Sequence, residues 1–284
     1  MLRHMLVARG IDDEAMLLQN HGAVDLWLSC RGQEAAQVAS VMAAGESAVV
    51  FPSYREHAVA VVRGIDAVAL VAQWAGATYC GWNPRSHRLF PYTLVLAAQT
   101  LHGVGYAIGR RLKGPDETVV VYVGDGATSE GDMSEAMNLA AVESARVLFV
   151  CQNNGWAISK PSTEQMLTSI AERARGFGIR SWSLQADDPD ETYHVCREAS
   201  RHVEATNSPG LIELRTTRIM GHSTADPHAV YRDADELTAA AANDPVVRYR
   251  EKLMDAGVVD AAWLDGVGAD VDSARRALVE AFGR

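Results

Sequence analysis

Two runs of consecutive apolar residues dominate the hydrophobic pattern of the chain, and each run ends on small or polar residues. Residues 118–123 form a valine-rich run that stops at Gly124-Asp-Gly126, and residues 146–151 form a second run that stops at Asn153-Asn154. Between them, residues 132–143 place apolar side chains on one stripe of a helix. Continuous apolar runs of this length are typical of buried strands. The pattern therefore predicts a strand, a crossover helix and a parallel strand, with both polar motifs at carboxyl ends.

Other segments extend this pattern to most of the chain. Helical stripes occupy residues 5–20 and 33–44, a further helix covers 99–112, and residues 211–217 form another strand. The helix at 99–112 contains Gly103, Gly105 and Gly109. Each glycine costs a helix roughly 1 kcal/mol relative to alanine. Close approach of a second helix, within the chain or at a subunit interface, would explain their presence.

These elements predict an α/β fold. We expect a mostly parallel, doubly wound sheet flanked by helices. A single domain should span residues 1–284, with N-terminal helices within 1–45 and a helical tail over about 235–284. A chain of 284 residues with 48% hydrophobic residues can bury a large core.

Oxygen-bearing side chains lie at the ends of the two neighbouring strands. Asp125 offers a carboxylate and Asn154 an amide oxygen, and the turn that follows could add the main-chain carbonyl of Trp156. Mg²⁺ prefers a few such oxygens together with phosphate oxygens and water. Gly124 and Gly126 would let a phosphate approach the backbone. Either motif alone is more often an ordinary turn, but the two together favour a site for a magnesium-bound diphosphate.

Further candidates come from position and charge. Tyr54 and Arg55 follow a proline in a turn, and an arginine is suited to bidentate contact with phosphate. Arg218 and His222 lie beyond the carboxyl end of the strand at 211–217. Since parallel strands end at one edge of a sheet, we expect both to share the site with Asp125.

Composition narrows the class of partner and compartment. A net charge of -10 argues against binding to nucleic acid or to an anionic membrane. No apolar run approaches the roughly 18 residues of a membrane-spanning helix, and the N-terminus lacks the hydrophobic region of a signal peptide. The four cysteines show no C-x-x-C spacing, so we expect reduced thiols. These features predict a cytoplasmic protein.

Five motifs along the chain are similar to those of a known family. The chain resembles, in order from about Met5 to about Gly257, the alpha subunit of the thiamine-diphosphate-dependent decarboxylase (dehydrogenase) component of 2-oxo acid dehydrogenase complexes. The branched-chain type fits better than the pyruvate type, and the resemblance implies a thiamine-diphosphate-binding fold. The motifs that carry it are Ser29-Cys-Arg-Gly-Gln-Glu-Ala35, Phe51-Pro-Ser-Tyr-Arg-Glu-His57, Gly124-Asp-Gly-Ala-Thr-Ser-Glu-Gly-Asp132, Cys151-Gln-Asn-Asn-Gly-Trp-Ala-Ile-Ser159 and Gly221-His-Ser-Thr224.

The resemblance also implies residue roles. Thiamine diphosphate would be contacted by Tyr54, Arg55, Leu96, Gly124, Gly126, Ala127, Arg218 and His222, and Mg²⁺ by Asp125, Asn154 and Trp156. Arg218 would touch phosphate. The candidate catalytic residues are His222, which would approach the reacting centre, and Ser223, in a loop that is phosphorylated in some relatives.

One region departs from the family pattern. Residues 74–98 are shorter than usual, and Leu94 stands where a serine is expected. Leu96 stands where a main-chain carbonyl usually receives the amino group of the cofactor's pyrimidine ring, a contact that a side-chain change leaves in place. The departure therefore bears on substrate preference more than on cofactor binding.

The resemblance implies a reaction and a set of partners. The reaction is oxidative decarboxylation of a small 2-oxo acid with transfer of the acyl group to a lipoyl arm on an acyltransferase core. The glutamate that activates the pyrimidine ring belongs to a separate beta subunit, so an α₂β₂ assembly is expected. Two alternatives remain at this stage: a split transketolase-like or acyloin-forming enzyme that uses the same cofactor, and a non-catalytic assembly or regulatory paralogue.

Overall fold

A computed structural model describes residues 1–114 and 117–283 of the chain. The strands are β1 (Val49–Phe51), β2 (Val119–Gly124), β3 (Val147–Asn153), β4 (Trp156–Ala157), β5 (Lys160–Pro161), β6 (Arg180–Gln185) and β7 (Gly210–Arg215). The helices are α1 (Leu2–Asn20), α2 (Glu34–Ala44), α3 (His57–Val62), α4 (Ala67–Ala72), α5 (Pro84–His87), α6 (Ala98–Lys113), α7 (Gly131–Val142), α8 (Ile170–Gly176), α9 (Pro189–Thr206), α10 (Ala234–Ala242), α11 (Pro245–Asp255) and α12 (Ala261–Phe282).

Five strands form one parallel sheet in the order β1-β2-β3-β7-β6, and β4 pairs with β5 in a separate antiparallel ribbon. The register of β2 and β3 pairs Val119 with Val147 and Gly124 with Gln152. Because the strands run in parallel and in register, the residues that follow Gly124 and Asn153 emerge at the same edge. The predicted strand, crossover helix and strand are therefore confirmed, with α7 as the crossover.

The alternation of side chains along β2 divides the core between the two faces of the sheet. Val119, Val121 and Val123 belong to the cluster formed with α6, α7 and α8, whereas Val120 and Tyr122 belong to the cluster formed with α2 and α9. All five side chains are fully buried. Both faces are covered by helices, so the predicted doubly wound α/β fold is confirmed.

The glycines of α6 do not serve a helix–helix contact within the chain. A Cβ on Gly103 would lie 2.4 Å from Cγ2 of Val121, so this glycine lets α6 approach the sheet. The predicted contact with a second helix is therefore wrong for Gly103, because the close neighbour is a strand. Gly105 and Gly109 have open space around the position of a Cβ.

The C-terminal helices α10, α11 and α12 occupy the region in which a helical tail was predicted, apart from Arg284, which lies outside the described residues. Helix α12 packs along α1. Arg9 of α1 joins two other helices, since it donates to Glu34 at the start of α2 and to both carboxylate oxygens of Asp244 at the start of α11. Among the described helices, none combines the length and hydrophobicity needed to cross a bilayer.

Candidate active site

A cavity of about 170 Å³ lies at the carboxyl edge of the sheet, where β2 and β3 end. It is smaller than the roughly 300–1,000 Å³ typical of a complete small-molecule site, so it can enclose only one end of a large cofactor. Its walls come from the start of α2, the turn before α3, the segment before α6, the ends of β2 and β3, and the loop after β7. The lining residues are Gln33, Ser53, Tyr54, Arg55, Glu56, Leu96, Gly124, Asp125, Gly126, Ala127, Gln152, Asn154, Trp156, Ala157, Ile158 and His222.

Asp125 is the buried carboxylate of this cavity, with 1% of its surface exposed. Its Oδ1 accepts a hydrogen bond of 3.3 Å from the backbone N–H of Asn154, but its buried Oδ2 has no partner within the described part of the chain. Burial raises the pKa of Asp125 to about 6, although the charge of Arg218 partly opposes this. A buried carboxylate oxygen without a partner is costly, and a bound cation would compensate it.

Asn154 and Trp156 lie at the same cavity as Asp125, in the arrangement that the sequence predicted. Both line the cavity, and the backbone N–H of Trp156 donates to Oδ1 of Asn154 at 3.1 Å, which holds the amide in place. Gly126 allows this approach, since a Cβ there would lie 2.7 Å from the Cβ of Ala157. Asp125 and Asn154 are thus joined directly and Trp156 is joined through Asn154. Among the described residues, no group of three or more His, Cys, Asp or Glu side chains could hold a metal.

The glycines and small residues at the end of β2 leave one wall of the cavity open. Gly124, Gly126 and Ala127 all line the cavity, and a Cβ on Gly124 would meet no atom within 4 Å. Leu96 lines it from the segment before α6. An anion could therefore approach the backbone here without steric conflict.

Tyr54 and Arg55 both reach the cavity, but the guanidinium of Arg55 is already occupied by the protein. Its Nη1 donates to the carbonyl of Ser29 at 2.6 Å, and its Nη2 donates to the carbonyl of His222 at 2.8 Å. The ring of Tyr54 lies edge-on to that of His222, with ring centroids 6.1 Å apart. Arg55 therefore joins three segments of the site, and a bidentate contact with phosphate would require these bonds to open.

Arg218 differs from Arg55, because it is buried and only one of its guanidinium nitrogens has a hydrogen-bond partner in the described chain. Its Nη2 donates to the carbonyl of Ile158 at 2.9 Å and to the hydroxyl of Tyr231 at 3.0 Å. Its buried Nε and Nη1 have no partner in the part of the chain that the structure describes. The residue does not line the cavity itself, but its charge acts on both Asp125 and His222. Two orphaned guanidinium donors in this position would suit an anion.

His222 lines the cavity in a loop that is more firmly attached than its small residues suggest. Its backbone N–H donates to Asp226 at 2.6 Å, and Asp226 in turn accepts from the hydroxyl of Tyr231 at 2.5 Å. The backbone of Thr224 also donates to the carbonyl of Trp27 at 3.0 Å. Small glycine and hydroxyl residues favour a mobile loop, but these contacts attach this loop on both sides of His222 to the rest of the protein.

Burial and the charges of Arg55 and Arg218 lower the pKa of His222 to about 4. The imidazole is therefore neutral at pH 7. Ser223, the second candidate catalytic residue, does not line the cavity, and its hydroxyl accepts a hydrogen bond of 3.3 Å from the backbone of Ala225.

Sequence reasoning missed a set of buried polar side chains in the wall next to α2. Gln37 donates to Gln152 at 3.1 Å, and Gln152 donates to Glu56 at 2.6 Å. Burial raises the pKa of Glu56 to about 7. The alternation along β3 could have revealed Gln152, which follows Val150 on the same face, but Glu56 and Gln33 carry no periodic signal.

The chain is similar to known proteins over most of its length. Residues 2–280 match the dehydrogenase E1 component family. The alpha subunit of 3-methyl-2-oxobutanoate dehydrogenase from Mycobacterium tuberculosis is 39% identical over 255 residues, which cover 89% of this chain and 70% of that protein.

Two further relatives carry a related name. The alpha subunit of 2-oxoisovalerate dehydrogenase from Bacillus subtilis is 32% identical over 96% of this chain and 88% of its own length. The mitochondrial alpha subunit of the same name from Homo sapiens is 32% identical over 93% of this chain but only 61% of its own length. As its motifs predicted, the chain belongs to the dehydrogenase E1 component family.

Proposed function

We propose that this chain is the alpha subunit of a thiamine-diphosphate-dependent dehydrogenase for branched-chain 2-oxo acids and that it holds the magnesium-bound diphosphate end of the cofactor. The names of the similar proteins from Mycobacterium tuberculosis and Bacillus subtilis support this choice of substrate. The single observation that carries the proposal is the buried, partnerless Oδ2 of Asp125 in a cavity at the carboxyl ends of β2 and β3.

The residues present fit a magnesium-bound diphosphate. Asp125 would provide the one negatively charged ligand, Asn154 an amide oxygen and Trp156 a main-chain carbonyl, which leaves coordination positions for phosphate oxygens and water. The partnerless Nε and Nη1 of Arg218 would donate to phosphate, and the open wall at Gly124 gives it room. Oδ2 of Asp125 and Nε and Nη1 of Arg218 have no partner in the described chain that ligand binding would have to displace.

Thiamine diphosphate, when bound, supplies the carbanion and the electron sink that decarboxylation requires. Binding of its diphosphate would bring negative charge close to Arg55 and Arg218, the residues whose positive charges lower the pKa of His222. We therefore expect the pKa of His222 to rise from about 4 towards neutrality on binding, which would let its imidazole accept or donate a proton at the reacting centre.

We expect a second subunit to complete the site, because the cavity is small and an exposed apolar strip lies beside it. Leu94, Val95 and Leu96 are consecutive and exposed by 59%, 69% and 40%, and Leu96 also lines the cavity. An exposed apolar strip beside a half-formed site is typical of a protein interface. We propose that a beta subunit covers it, contributes the glutamate that activates the pyrimidine ring and completes an α₂β₂ assembly.

The remaining parts of the proposal concern the acceptor and the compartment. The acyl group would pass to a lipoyl arm of an acyltransferase core, and Ser223, outside the cavity, would be a site of regulation or of contact with that arm. The cytoplasmic location stays a prediction, for which cell fractionation is the test.

The test is an assay of the chain co-expressed with a beta-type subunit of the same organism. A panel of 2-oxo acids and an artificial electron acceptor should show turnover of 3-methyl-2-oxobutanoate that depends on thiamine diphosphate and Mg²⁺. Omission of either subunit is the matched control and should abolish turnover. An assembly that binds the cofactor but oxidises no 2-oxo acid would refute the proposed reaction.

A further inference from the structure

The side chain of Gln33 is buried in the wall of the cavity without a hydrogen bond to satisfy its amide. The residue is 1% exposed and lines the cavity, and its Nε2 has no partner within residues 1–114 and 117–283. Two neighbouring amides behave differently, since Nε2 of Gln37 donates to the carbonyl of Arg55 at 3.0 Å and Nε2 of Gln152 donates to Glu56 at 2.6 Å. A buried donor without a partner is unfavourable for folding, so the structure of the chain alone does not explain why Gln33 is an amide.

Main-chain contacts determine the position of Gln33. A Cβ on Gly32 would lie 2.0 Å from the carbonyl oxygen of Thr217, so only glycine allows this approach to the loop after β7. The backbone N–H of Ile219 donates to the carbonyl of Arg31 at 3.2 Å in the same contact. The start of α2 is therefore fixed beside the loop that carries the candidate site histidine, and the amide of Gln33 is free to serve a ligand.

The segment that carries Gln33 is also connected to His222 through the side chain of Arg55. Arg55 donates through Nη1 to the carbonyl of Ser29 and through Nη2 to the carbonyl of His222. Ser29 directly precedes the turn in which the backbone N–H of Gln33 donates to the carbonyl of Cys30 at 2.9 Å, so this single guanidinium ties the segment of Gln33 to His222. Gln33, Arg55 and His222 all line the cavity and are connected through these bonds.

The partnerless atoms in and beside the cavity are of two kinds, charged and neutral. Asp125 and Arg218 carry the charged, partnerless atoms that suit a cation and a diphosphate. Gln33 is neutral, offers the N–H donors of its amide and lines the cavity together with His222. An amide donor of this kind discriminates between ligands that carry an oxygen at one position and ligands that lack it, because the buried donor is otherwise left unpaired.

Resting on the proposed function, we infer that Nε2 of Gln33 donates a hydrogen bond to the carboxylate of the bound 2-oxo acid and so selects for substrates that carry this group. The carboxylate is present in the ground state and leaves as carbon dioxide. The contact therefore contributes to substrate affinity more than to the rate of the bound complex. A hydrogen bond to a charged group of this kind corresponds to about a 10- to 100-fold change in affinity.

The test is the substitution Gln33→Met in the co-expressed holoenzyme, since methionine has a similar volume and no donor. KM for 3-methyl-2-oxobutanoate should rise about 10- to 100-fold while kcat changes by less than about threefold. The dissociation constant of magnesium-bound thiamine diphosphate, measured by calorimetry, should stay within about threefold of the wild-type value. The thermal midpoint of the ligand-free protein should not fall, because the amide satisfies no protein group.

Two inhibitors identify the group that Gln33 contacts. Inhibition by 2-hydroxy-3-methylbutanoate, which keeps the carboxylate, should weaken by the same factor as KM, whereas inhibition by 3-methyl-2-butanone, which lacks it, should be unchanged. The matched control is Gln73→Met, because Nε2 of Gln73 is also buried without a partner but lies away from this cavity. If Gln33→Met does not assemble, Gln33→Asn, which keeps the amide one methylene shorter, should show the same rise in KM to a smaller extent.

The outcomes separate this inference from the proposed function. A wild-type assembly that turns over 2-oxo acids, together with an unchanged KM in the Gln33 variants, would overturn the inference alone. A parallel fall in cofactor affinity would also overturn it, because the amide would then serve the cofactor. A wild-type assembly that binds cofactor but oxidises no 2-oxo acid would overturn both.

Discussion

Replacement of Asp125 by asparagine should change ligand affinity and the stability of the ligand-free protein in different directions. Asparagine has nearly the same shape and keeps an oxygen to accept from the backbone N–H of Asn154. It removes the negative charge whose Oδ2 is buried without a partner. The substitution therefore isolates the charge from the packing of the site.

The magnitude follows from the pKa. Burial raises the pKa of Asp125 from 3.8 to about 6, and each pKa unit corresponds to about 1.4 kcal/mol. Because the folded-state pKa lies above the unfolded-state value, the contribution of Asp125 to stability is most favourable below pH 3.8 and is lost as the pH rises through 6. At pH 8 the ionised carboxylate costs about 3 kcal/mol of unfolding free energy, whereas at pH 5 it costs only about half of that.

Asparagine removes this pH-dependent cost but adds a buried N–H₂ group, which costs about 1–3 kcal/mol if it finds no acceptor. The second term does not depend on pH. The free energy of unfolding of Asp125→Asn relative to wild type should therefore increase by about 1–1.5 kcal/mol between pH 5 and pH 8. Urea denaturation of the ligand-free proteins at both pH values measures this change.

Affinity for magnesium-bound thiamine diphosphate should fall by more than about 100-fold in the same variant. Substitution of a residue that only orients a metal ligand typically lowers metal affinity 10- to 100-fold. Asp125 is the proposed charged ligand itself, so its loss should have a larger effect. Calorimetry of the assembled subunits gives the affinity, with the exposed Asp255→Asn as a control for loss of one negative charge. Unchanged affinity would refute the assignment of the metal ligand, and a stability difference independent of pH would refute the argument from burial.

Other expected outcomes concern the histidine, the partner and the helical layer. His222→Ala should keep cofactor affinity and lose about 10²- to 10⁴-fold in rate, measured separately for decarboxylation with an artificial acceptor and for lipoyl acylation. The isolated chain should show no decarboxylation, and cofactor at 100 times its dissociation constant should stabilise the αβ assembly by about 2.7 kcal/mol in thermal denaturation. Arg9→Met should reduce the unfolding free energy by about 3–5 kcal/mol, because it leaves the buried Glu34 and Asp244 without their cation.

Specific results would contradict each of these predictions. Wild-type rates for His222→Ala in both assays would exclude a catalytic role, and a fall in cofactor affinity alone would indicate a binding role. Turnover by the purified single chain would overturn the need for a second subunit. Arg3→Met removes an exposed ion pair with Asp270, so it should cost less than about 1 kcal/mol, and an equal effect from Arg9→Met would contradict the argument from burial.

The sequence predicted the scaffold well because hydrophobic runs report burial directly. The runs at 118–123 and 146–151 became β2 and β3, and their register brought Asp125 and Asn154 together as expected. Helical stripes also gave the bounds of α1, α2, α6 and α7 to within a few residues, but α3, α4, α5, α8 and α9 were not predicted. These features depend on local pattern, which a single sequence contains.

The missed features depend on contacts between distant segments. Gln33 and Glu56 stand in motifs that carry the resemblance, but no local pattern shows that their side chains are buried, because tertiary packing buries them. The low pKa of His222 likewise arises from burial and from the charges of two arginines, of which Arg55 is far away in the chain. Gly103 was read as a helix contact because a glycine in a helix shows that something approaches closely, but not whether it is a strand or a helix.

Several of the buried polar atoms without a hydrogen-bond partner in the described chain lie in or beside the cavity, and others lie elsewhere. Oδ2 of Asp125, Nε and Nη1 of Arg218 and Nε2 of Gln33 are all buried without hydrogen bonds in the described chain, and all belong to this cavity or its surroundings. Each such atom lowers the stability of the ligand-free protein, since folding removes water from it and returns nothing. A cation, a phosphate and a carboxylate would each satisfy one of them without breaking a bond inside the protein. The instability of the ligand-free state is therefore the source of affinity in the bound state, and any substitution that relieves it without ligand should weaken binding.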